Sequence, residues 1–291
     1  MDTGSVKKII TLTTDFGTKD PFVGTMKGVI LSICPDAILI DITHQIEPYH
    51  ILEAALTLKA SHHFFPVGTV HLAVIDPGVG GPRRPILAET AKYCFVAPDN
   101  GVLSLVYQDK ELKAVREITA REFFLTLEDS AGSPGDSAGS PDPAKKRVSS
   151  TFHGRDIFAP VAAWLARGEK PECFGPIIYD YNSLLLPEAQ ILSDTHLRGK
   201  IIYIDSFGNL MSNIDHPLFQ SLQDKNKGRG CQISLGPKVI KGINRYYGEA
   251  REKEAGAIFN SWGYLEVYIN QGNAHQQLGL GTGTAINIIF L

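Results

Sequence analysis

The chain is poor in the residues that would build a covalent or metal-held framework. It has four cysteines in 291 residues (Cys34, Cys94, Cys173, Cys231), and no two of them stand at C-x-x-C spacing. That argues against a disulfide scaffold or a zinc site and leaves buried free thiols as the expectation, none with a local reason to be a nucleophile. No apolar run has membrane-spanning length, and the opening M-D-T-G-S-V-K-K-I-I lacks the apolar segment of a secretory signal. The expected location is cytoplasmic, with no membrane partner. An excess of one charge is lacking too, since 28 Lys and Arg stand against 31 Asp and Glu for a formal net charge of −3. Nothing in that balance points to nucleic acid. What remains is an ordinary globular composition, 43% hydrophobic and long enough for two domains.

The stretch that organises the rest is V-I-D-P-G-V-G-G-P-R-R-P-I, residues 74–86. Leu72 to Ile75 read as a buried strand stopped by Asp76-Pro77-Gly78, which leaves a carboxylate at a strand's C-terminal end. In open α/β sheets that edge is the usual ligand crevice. Arg83 and Arg84 follow on a loop stiffened by Pro82 and Pro85. Taken alone, this pairing reads more readily as a loop-bracing ion pair than as a device for orienting a polar reactant, and the companion stretches below reverse that weighting.

Around it the pattern alternates. Strands are expected at Ile9–Thr13, Ala37–Ile42, Thr69–Ile75, Ile86–Glu89 and Tyr93–Ala97. Helices are expected at Phe22–Cys34, His50–His63, near Val102–Tyr107, and at Ile157–Ala166. This order predicts parallel βαβ units, with Asp15 closing the first strand as Asp76 closes a later one. Residues 129–150 interrupt it with a tandem S-A-G-S-P repeat that has almost nothing to bury. The expectation there is a disordered, low-complexity surface insertion rather than a linker. From Arg198 the texture changes to short strands between Gly and Asn turns, at Lys200–Asp205, Gln232–Leu235, Ala257–Asn260, Tyr264–Ile269 and Thr284–Phe290. The expected fold is an N-terminal α/β/α domain (1–185) with a mostly parallel sheet, plus a smaller C-terminal all-β barrel (196–291).

Seven motifs then stand in order: T-T-D-F-G (13–17), M-K-G-V-I (26–30), V-I-D-P-G-V-G (74–80), A-P-D-N-G (97–101), F-H-G-R-D (152–156), D-S-F-G-N (205–209) and S-W-G-Y-L-E (261–266). Over nearly its whole length the chain resembles the S-adenosyl-L-methionine (SAM) hydroxide adenosyltransferases, SAM hydrolases related to 5′-fluorinases and 5′-chlorinases. The resemblance implies a homotrimer in which SAM lies between one subunit's N-terminal domain and its neighbour's C-terminal domain. It implies attack of water on the ribose C5′ of SAM, giving adenosine and L-methionine, with SAM the substrate and no cofactor. It implies a water-activating set of Asp76, Arg83 (Arg84 the alternative) and His153. Asp15 matches the ribose-hydroxyl ligand, and Tyr49 an aromatic packing on the sugar and sulfonium. Asp20 lies in the segment that meets the methionine portion, and Asp205 matches a contact to the methionine amino group. Asn209 matches an adenine- or ribose-side contact. Ser261 and Tyr264 match the adenine pocket, with Glu266 and Asn270 beside it. Two departures stand out: the insertion just before His153, and Trp262 where the halogenases carry an Arg.

The chemistry is coherent on its own terms. Methionine leaves a sulfonium as a neutral thioether, so neither metal nor acid is required, and the sequence offers no metal-ligand cluster. What must be supplied is a placed and activated water: positioning is worth roughly 7–11 kcal/mol and general-base help about 10²–10⁴-fold. Which member of the set takes the proton is not legible at this level. Two other readings compete, a SAM-dependent halogenase and a non-catalytic SAM or adenosine binder. The first has little use for Asp76, Arg83 and His153, and the second has no need of them together.

Overall fold

The computed structural model describes residues 7–126 and 148–291 and divides into two compact units, Met1–Leu184 and Leu185–Leu291. Most of the S-A-G-S-P insertion lies outside the described residues.

The first unit contains β1 (Ile9–Thr14), α1 (Phe22–Ile33), β2 (Ile38–Thr43), α2 (Ile51–Ser61), β3 (Val70–Val74), β4 (Pro85–Thr90), β5 (Cys94–Pro98), β6 (Leu112–Glu117) and α3 (Ala159–Arg167). Its sheet runs β2-β1-β3-β5-β4-β6. The first four are mutually parallel, so β1 and β3 lie side by side and release their C-terminal residues at the same edge. Alternation along the buried strands feeds two cores. Ile10, Leu12, Leu72, Val74 and Val96 face α1 and α3, whereas Ala73, Ile75, Phe95 and Ala97 face the layer holding α2 and the 102–106 segment. Each fully buried Leu, Ile or Val adds roughly 1.5–3 kcal/mol of transfer free energy, which fixes strand register and with it the edge.

Several expectations need correction. β5 continues the parallel series beside β3, but β4 does not. β4 and β5 form an antiparallel hairpin, because the three residues between them cannot hold a crossover, and β6 joins β4 antiparallel. Val102–Tyr107 is not a helix but a run of turns, closed by Ser104 N–H to Gly101 O (3.0 Å) and Val106 N–H to Leu103 O (2.9 Å). The helix expected from Ile157 begins as one π turn, Gly154–Phe158, before α3. Among the thiols Cys34 and Cys231 are buried, but Cys173 is exposed.

The second unit contains β7 (Gln190–Ser193), β8 (His196–Ile204), β9 (Leu210–Asp215), α4 (His216–Lys225), β10 (Cys231–Leu235), β11 (Lys238–Lys241), β12 (Ala255–Phe259), β13 (Tyr264–Ile269), α5 (Ala274–Leu278) and β14 (Ala285–Phe290). Its strands run β11-β10-β14-β8-β9-β13-β12, all antiparallel and barrel-like, with β7 on β8. Inward residues such as Leu197, Leu210, Leu265 and Ile286 fill a separate core. The unit is not all β, since α4 and α5 interrupt it. Each begins on a side-chain cap, Asp215 accepting from Leu218 N–H (2.8 Å) and Asn273 from Gln276 N–H (2.8 Å).

Candidate active site

Ile75 is still fully buried, so Asp76 is the first side chain released at the end of β3. The loop beyond it turns tightly, with Val79 N–H on Asp76 O (3.2 Å) and Gly81 N–H on Gly78 O (3.0 Å). A Cβ on Gly78 would come within 3.0 Å of Arg83 Cγ, so the bare glycine lets Arg83 fold back over the turn. Arg83 Nε donates to Asp76 Oδ1 at 2.8 Å and Nη2 donates to Asp76 Oδ2. Nη2 also lies 2.6 Å from His153 Nδ1. The pair is enclosed, with Arg83 and Asp76 side chains 9% and 5% exposed and the guanidinium 5.1 Å from the Phe158 ring centre. A guanidinium has no lone pair to offer, so His153 Nδ1 must accept, and the imidazole is neutral with its proton on Nε2. Burial lowers the His153 pKa, and the Arg83 charge lowers it further.

His153 is held from several sides. The buried Asp156 accepts from Ser149 N–H at 2.7 Å, and its own carbonyl accepts from Leu125 N–H at 2.9 Å. It thereby ties together the chain on both sides of the insertion. Gly80, at φ +75°, lies so close that a Cβ there would stand 2.1 Å from Ser150 O. Phe16, Phe22 and Phe152 form an aromatic cluster alongside, with ring centres 5.2–6.0 Å apart.

Arg84 is committed elsewhere. Its guanidinium binds Asp99 Oδ2 (Nη2, 2.8 Å), Asp180 Oδ1 (Nη1, 2.9 Å) and Asp180 O (Nη2, 2.9 Å), away from Asp76.

Asp15 follows β1 at the same sheet edge and is half-buried. Its Oδ2 accepts from Tyr49 N–H at 3.0 Å. Burial raises the Asp15 pKa, opposed by that hydrogen bond, and the Asp76 charge adds to the rise. Tyr49 sits at φ +70°, a strained conformation for a non-glycine residue, and its ring is 71% exposed. Behind Asp15, buried His44 braces the turn. Its Nδ1 is 2.9 Å from Thr14 Oγ1, and its carbonyl accepts from Gly17 N–H at 2.7 Å. Asp20 is exposed in the bend before α1.

The second unit holds a cleft of about 650 Å³ walled by Tyr203 and Trp262, whose rings are 5.3 Å apart, and by Tyr247 and Tyr268. The size suits a drug-sized or nucleoside-sized ligand. Asp205, Asn209, Ser261, Glu266 and Asn270 all line it, whereas Tyr264 does not. Asp205 organises its own turn, accepting from Phe207 N–H (2.9 Å), Asn209 N–H (2.8 Å) and Asn209 Nδ2 (3.0 Å).

Family profiles for the SAM hydroxide adenosyltransferase N-terminal domain and C-terminal domain match residues 10–175 and 199–287. The chain belongs to the SAM hydroxide adenosyltransferase family. It is 33% identical to the (R)-S-adenosyl-L-methionine hydrolase of Methanocaldococcus jannaschii, over 97% of this chain and 96% of that one. A crystal structure of an uncharacterized conserved protein from Thermotoga maritima, 35% identical, superposes with a TM-score of 0.82 over 96% of this chain and 99% of that one. A fluorinase of Actinopolyspora mzabensis stands further off at 24% identity, covering 97% of each chain.

Within this adenosyltransferase, Asp76, Arg83 and His153 meet in one hydrogen-bonded array although they come from positions 70 residues apart. Asp15 and Tyr49 meet in a second contact in the same unit. Sequence reasoning missed Tyr247, Asn260, His44 and Asp156. Asp156 closes the F-H-G-R-D motif, yet only burial in the folded chain singles it and His44 out. The sequence reading finds no metal-ligand cluster. Among the described residues one group, Glu47, His50 and Glu53, does bring three ligand atoms within 4.8 Å of one another. Two of its members already contact each other, Glu53 Oε2 lying 3.3 Å from His50 Nδ1 while it also accepts from the Glu47 backbone N–H (3.2 Å). Burial pushes the Cys94 thiol up to about 12 and raises Cys34 and Cys231 as well, so none of these three is a ready thiolate.

Proposed function

We propose that this protein hydrolyses SAM to adenosine and L-methionine, with Asp76, Arg83 and His153 activating the water. The observation that carries the reading is the enclosed array of the three, set at a sheet edge in a chain of this family. A water lone pair forms the new bond to C5′, the C5′–S bond breaks, and its electron pair leaves on sulfur as neutral methionine. The water proton needs an acceptor. His153 is a poor one here, because its lone pair is engaged by Arg83 and its other nitrogen carries the hydrogen. Asp76 accepts one hydrogen bond from Arg83 on each oxygen, and a carboxylate oxygen has room for a second. We therefore assign Asp76 as the proton acceptor, Arg83 as the cation that stabilises hydroxide character, and His153 Nε2–H as a donor that aims the water.

Asp15 suits the ribose hydroxyls, since a carboxylate accepts from both. Tyr49 offers an open ring to the sugar. The second unit's aromatic cleft suits adenine, with Ser261, Asn209 and Asn270 at hand. Asp205, a carboxylate in that cleft, suits the methionine ammonium, and Asp20 and Tyr264 keep only the support of the family resemblance. Assembly as a homotrimer, action in the cytoplasm and the absence of a cofactor belong to the same proposal. Among the described residues no helix is long and apolar enough to cross a membrane.

The halogenase alternative fits less well, because a halide placed against the Asp76 carboxylate is repelled. The deciding experiment follows purified protein and SAM in H₂¹⁸O, with and without chloride. Label in the adenosine 5′-hydroxyl supports the proposal. Intact SAM with tight adenosine binding identifies a binder, and 5′-chloro-5′-deoxyadenosine identifies a halogenase.

A further inference from the structure

The cleft of the second unit contains a buried acid that the reaction does not use. Glu266, in mid-β13, is 4% exposed. Its Oε1 accepts from the Tyr247 hydroxyl at 2.9 Å and its Oε2 from Asn260 Nδ2 at 2.9 Å. Asn260 in turn receives Trp262 N–H (3.0 Å) and Tyr264 N–H (3.2 Å) on its Oδ1. One carboxylate thus holds a phenol on one side of the cleft and, through Asn260, the turn carrying Ser261 and Trp262 on the other.

The consequence is a polarity. Because the Tyr247 hydrogen is spent on Glu266, the phenolic oxygen is left to the cleft as an acceptor. Asn270 Nδ2 spends one of its two hydrogens on Ala250 O at 2.8 Å, which fixes the amide and leaves its Oδ1 to accept. Asn209 Nδ2 is spent on Asp205 at 3.0 Å. Of these groups the phenol presents only an acceptor to the cleft, and the Asn270 carbonyl oxygen offers a second one.

We propose that Glu266 is a positioning residue that makes this cleft selective for a 6-amino purine over a 6-oxo purine, by fixing Tyr247 as an acceptor beside Asn270. This rests on the proposed SAM reading and adds to it which bases the site refuses. An exocyclic amine satisfies such acceptors, whereas a carbonyl at the same ring position faces them with no hydrogen to share. A site built around a hydrogen bond rejects a ligand that cannot make it far more sharply than a shape change does. Glu266 acts through Tyr247 and Asn260 and is not a catalytic residue.

The test is calorimetric titration of the full chain with adenosine and with inosine, which needs no turnover. The native protein should prefer adenosine by at least about 100-fold. In Glu266→Gln an amide N–H faces the phenol oxygen and frees its hydrogen for the cleft, and the preference should fall below about tenfold. Tyr247→Phe keeps the ring and removes the oxygen, so it should weaken adenosine while leaving inosine nearly unchanged. This second variant carries the test if the first does not fold. A preference unchanged in both variants overturns the proposal. Parallel weakening of both nucleosides also overturns it, since that marks a residue that merely holds the cleft together. Equal binding of the two by the native protein overturns the selectivity alone, whereas binding of neither removes the SAM reading beneath it.

Discussion

Replacing Gly80 by Ala tests whether His153 is held as rigidly as its surroundings imply. Gly80 touches none of the three side chains of the array, yet it sits at φ +75° with the Ser150 carbonyl where a Cβ would go. The added methyl meets that oxygen at 2.1 Å, and real contacts do not fall below 3.0 Å, so the two backbones must separate by about 0.9 Å. The positive φ itself costs roughly 1–2 kcal/mol for a residue with a side chain. Ser150 cannot yield freely, because Ser149 is tied to buried Asp156 and the π turn behind His153 begins at Gly154. The displacement therefore passes to His153 and the nitrogen it presents to Arg83. A misplacement of about 1 Å in a reacting constellation costs on the order of 100-fold in rate. Gly80→Ala should accordingly lose about 100-fold in kcat, read as adenosine formed from saturating SAM. Its urea midpoint should report a stability loss of only about 1–3 kcal/mol. Gly28→Ala is the control: it lies on α1 with nothing within 4 Å of the new Cβ, and should be neutral or gain about 0.5–1 kcal/mol. If Gly80→Ala folds normally and keeps kcat within about threefold, the loop is compliant and the rigid-seat argument is wrong.

Other expectations are more direct. His153→Ala should lower kcat at least about tenfold with adenosine affinity within threefold, and unaltered kcat removes His153 from the mechanism. Arg84→Ala should unfold more easily by about 3–5 kcal/mol, because it strands the buried Asp99 carboxylate; its folded fraction should keep native kcat, and a selective loss of kcat would return Arg84 to the chemistry. Burial depresses the buried His71 to about 3, so the fold requires it neutral. Stability is then complete above the unfolded value near 6.5 and falls as pH drops below it, by about 2 kcal/mol at pH 5. Urea midpoints at pH 7.5 and 5 should show that loss, and His71→Gln, which keeps a partner for Thr11, should remove most of it, leaving the smaller share of His62 and His153. Deleting residues 130–142 should leave fold and adenosine formation intact, since Asp156 ties both flanks at Leu125 and Ser149; loss of either refutes the view of that stretch as a dispensable insertion.

The parts of this fold that were legible in the sequence are those written in local pattern. β1, β3 and α1 announce themselves by buried runs and helical spacing, and Asp15 and Asp76 by the Pro and Gly or Phe and Gly that stop their strands. The misreadings have local causes as well. Val102–Tyr107 is apolar on every side because it is buried all round, and that erases the periodicity separating a helix from stacked turns. β9 and α4 were missed because the chain passes from strand to helix at Asp215-His216-Pro217 with no loop at all. The cleft's polarity was illegible for a different reason. Glu266, Tyr247 and Asn270 carry the same residue types whichever way their hydrogens point, and only the folded network decides that.

The sequence reading favours Arg83 over its neighbour Arg84, and the structure gives the two arginines different partners. Both are arginines on one proline-stiffened loop, and both end in buried carboxylates, Asp76 and Asp99. What distinguishes them is the third partner. Arg84 takes a second carboxylate, Asp180, so its charge is matched twice over and its donors are used up on the fold. Arg83 takes a neutral imidazole instead. A neutral partner leaves the positive charge uncancelled on that side, and it forces the imidazole proton onto the far nitrogen, Nε2. The Arg83 array is thus balanced, one cation against one carboxylate, whereas Arg84 sits against two carboxylates, a surplus of negative charge that would repel a developing hydroxide. On the proposed mechanism, the group that braces a loop at Arg84 serves the reacting water at Arg83 because a histidine, not a second aspartate, is its third partner.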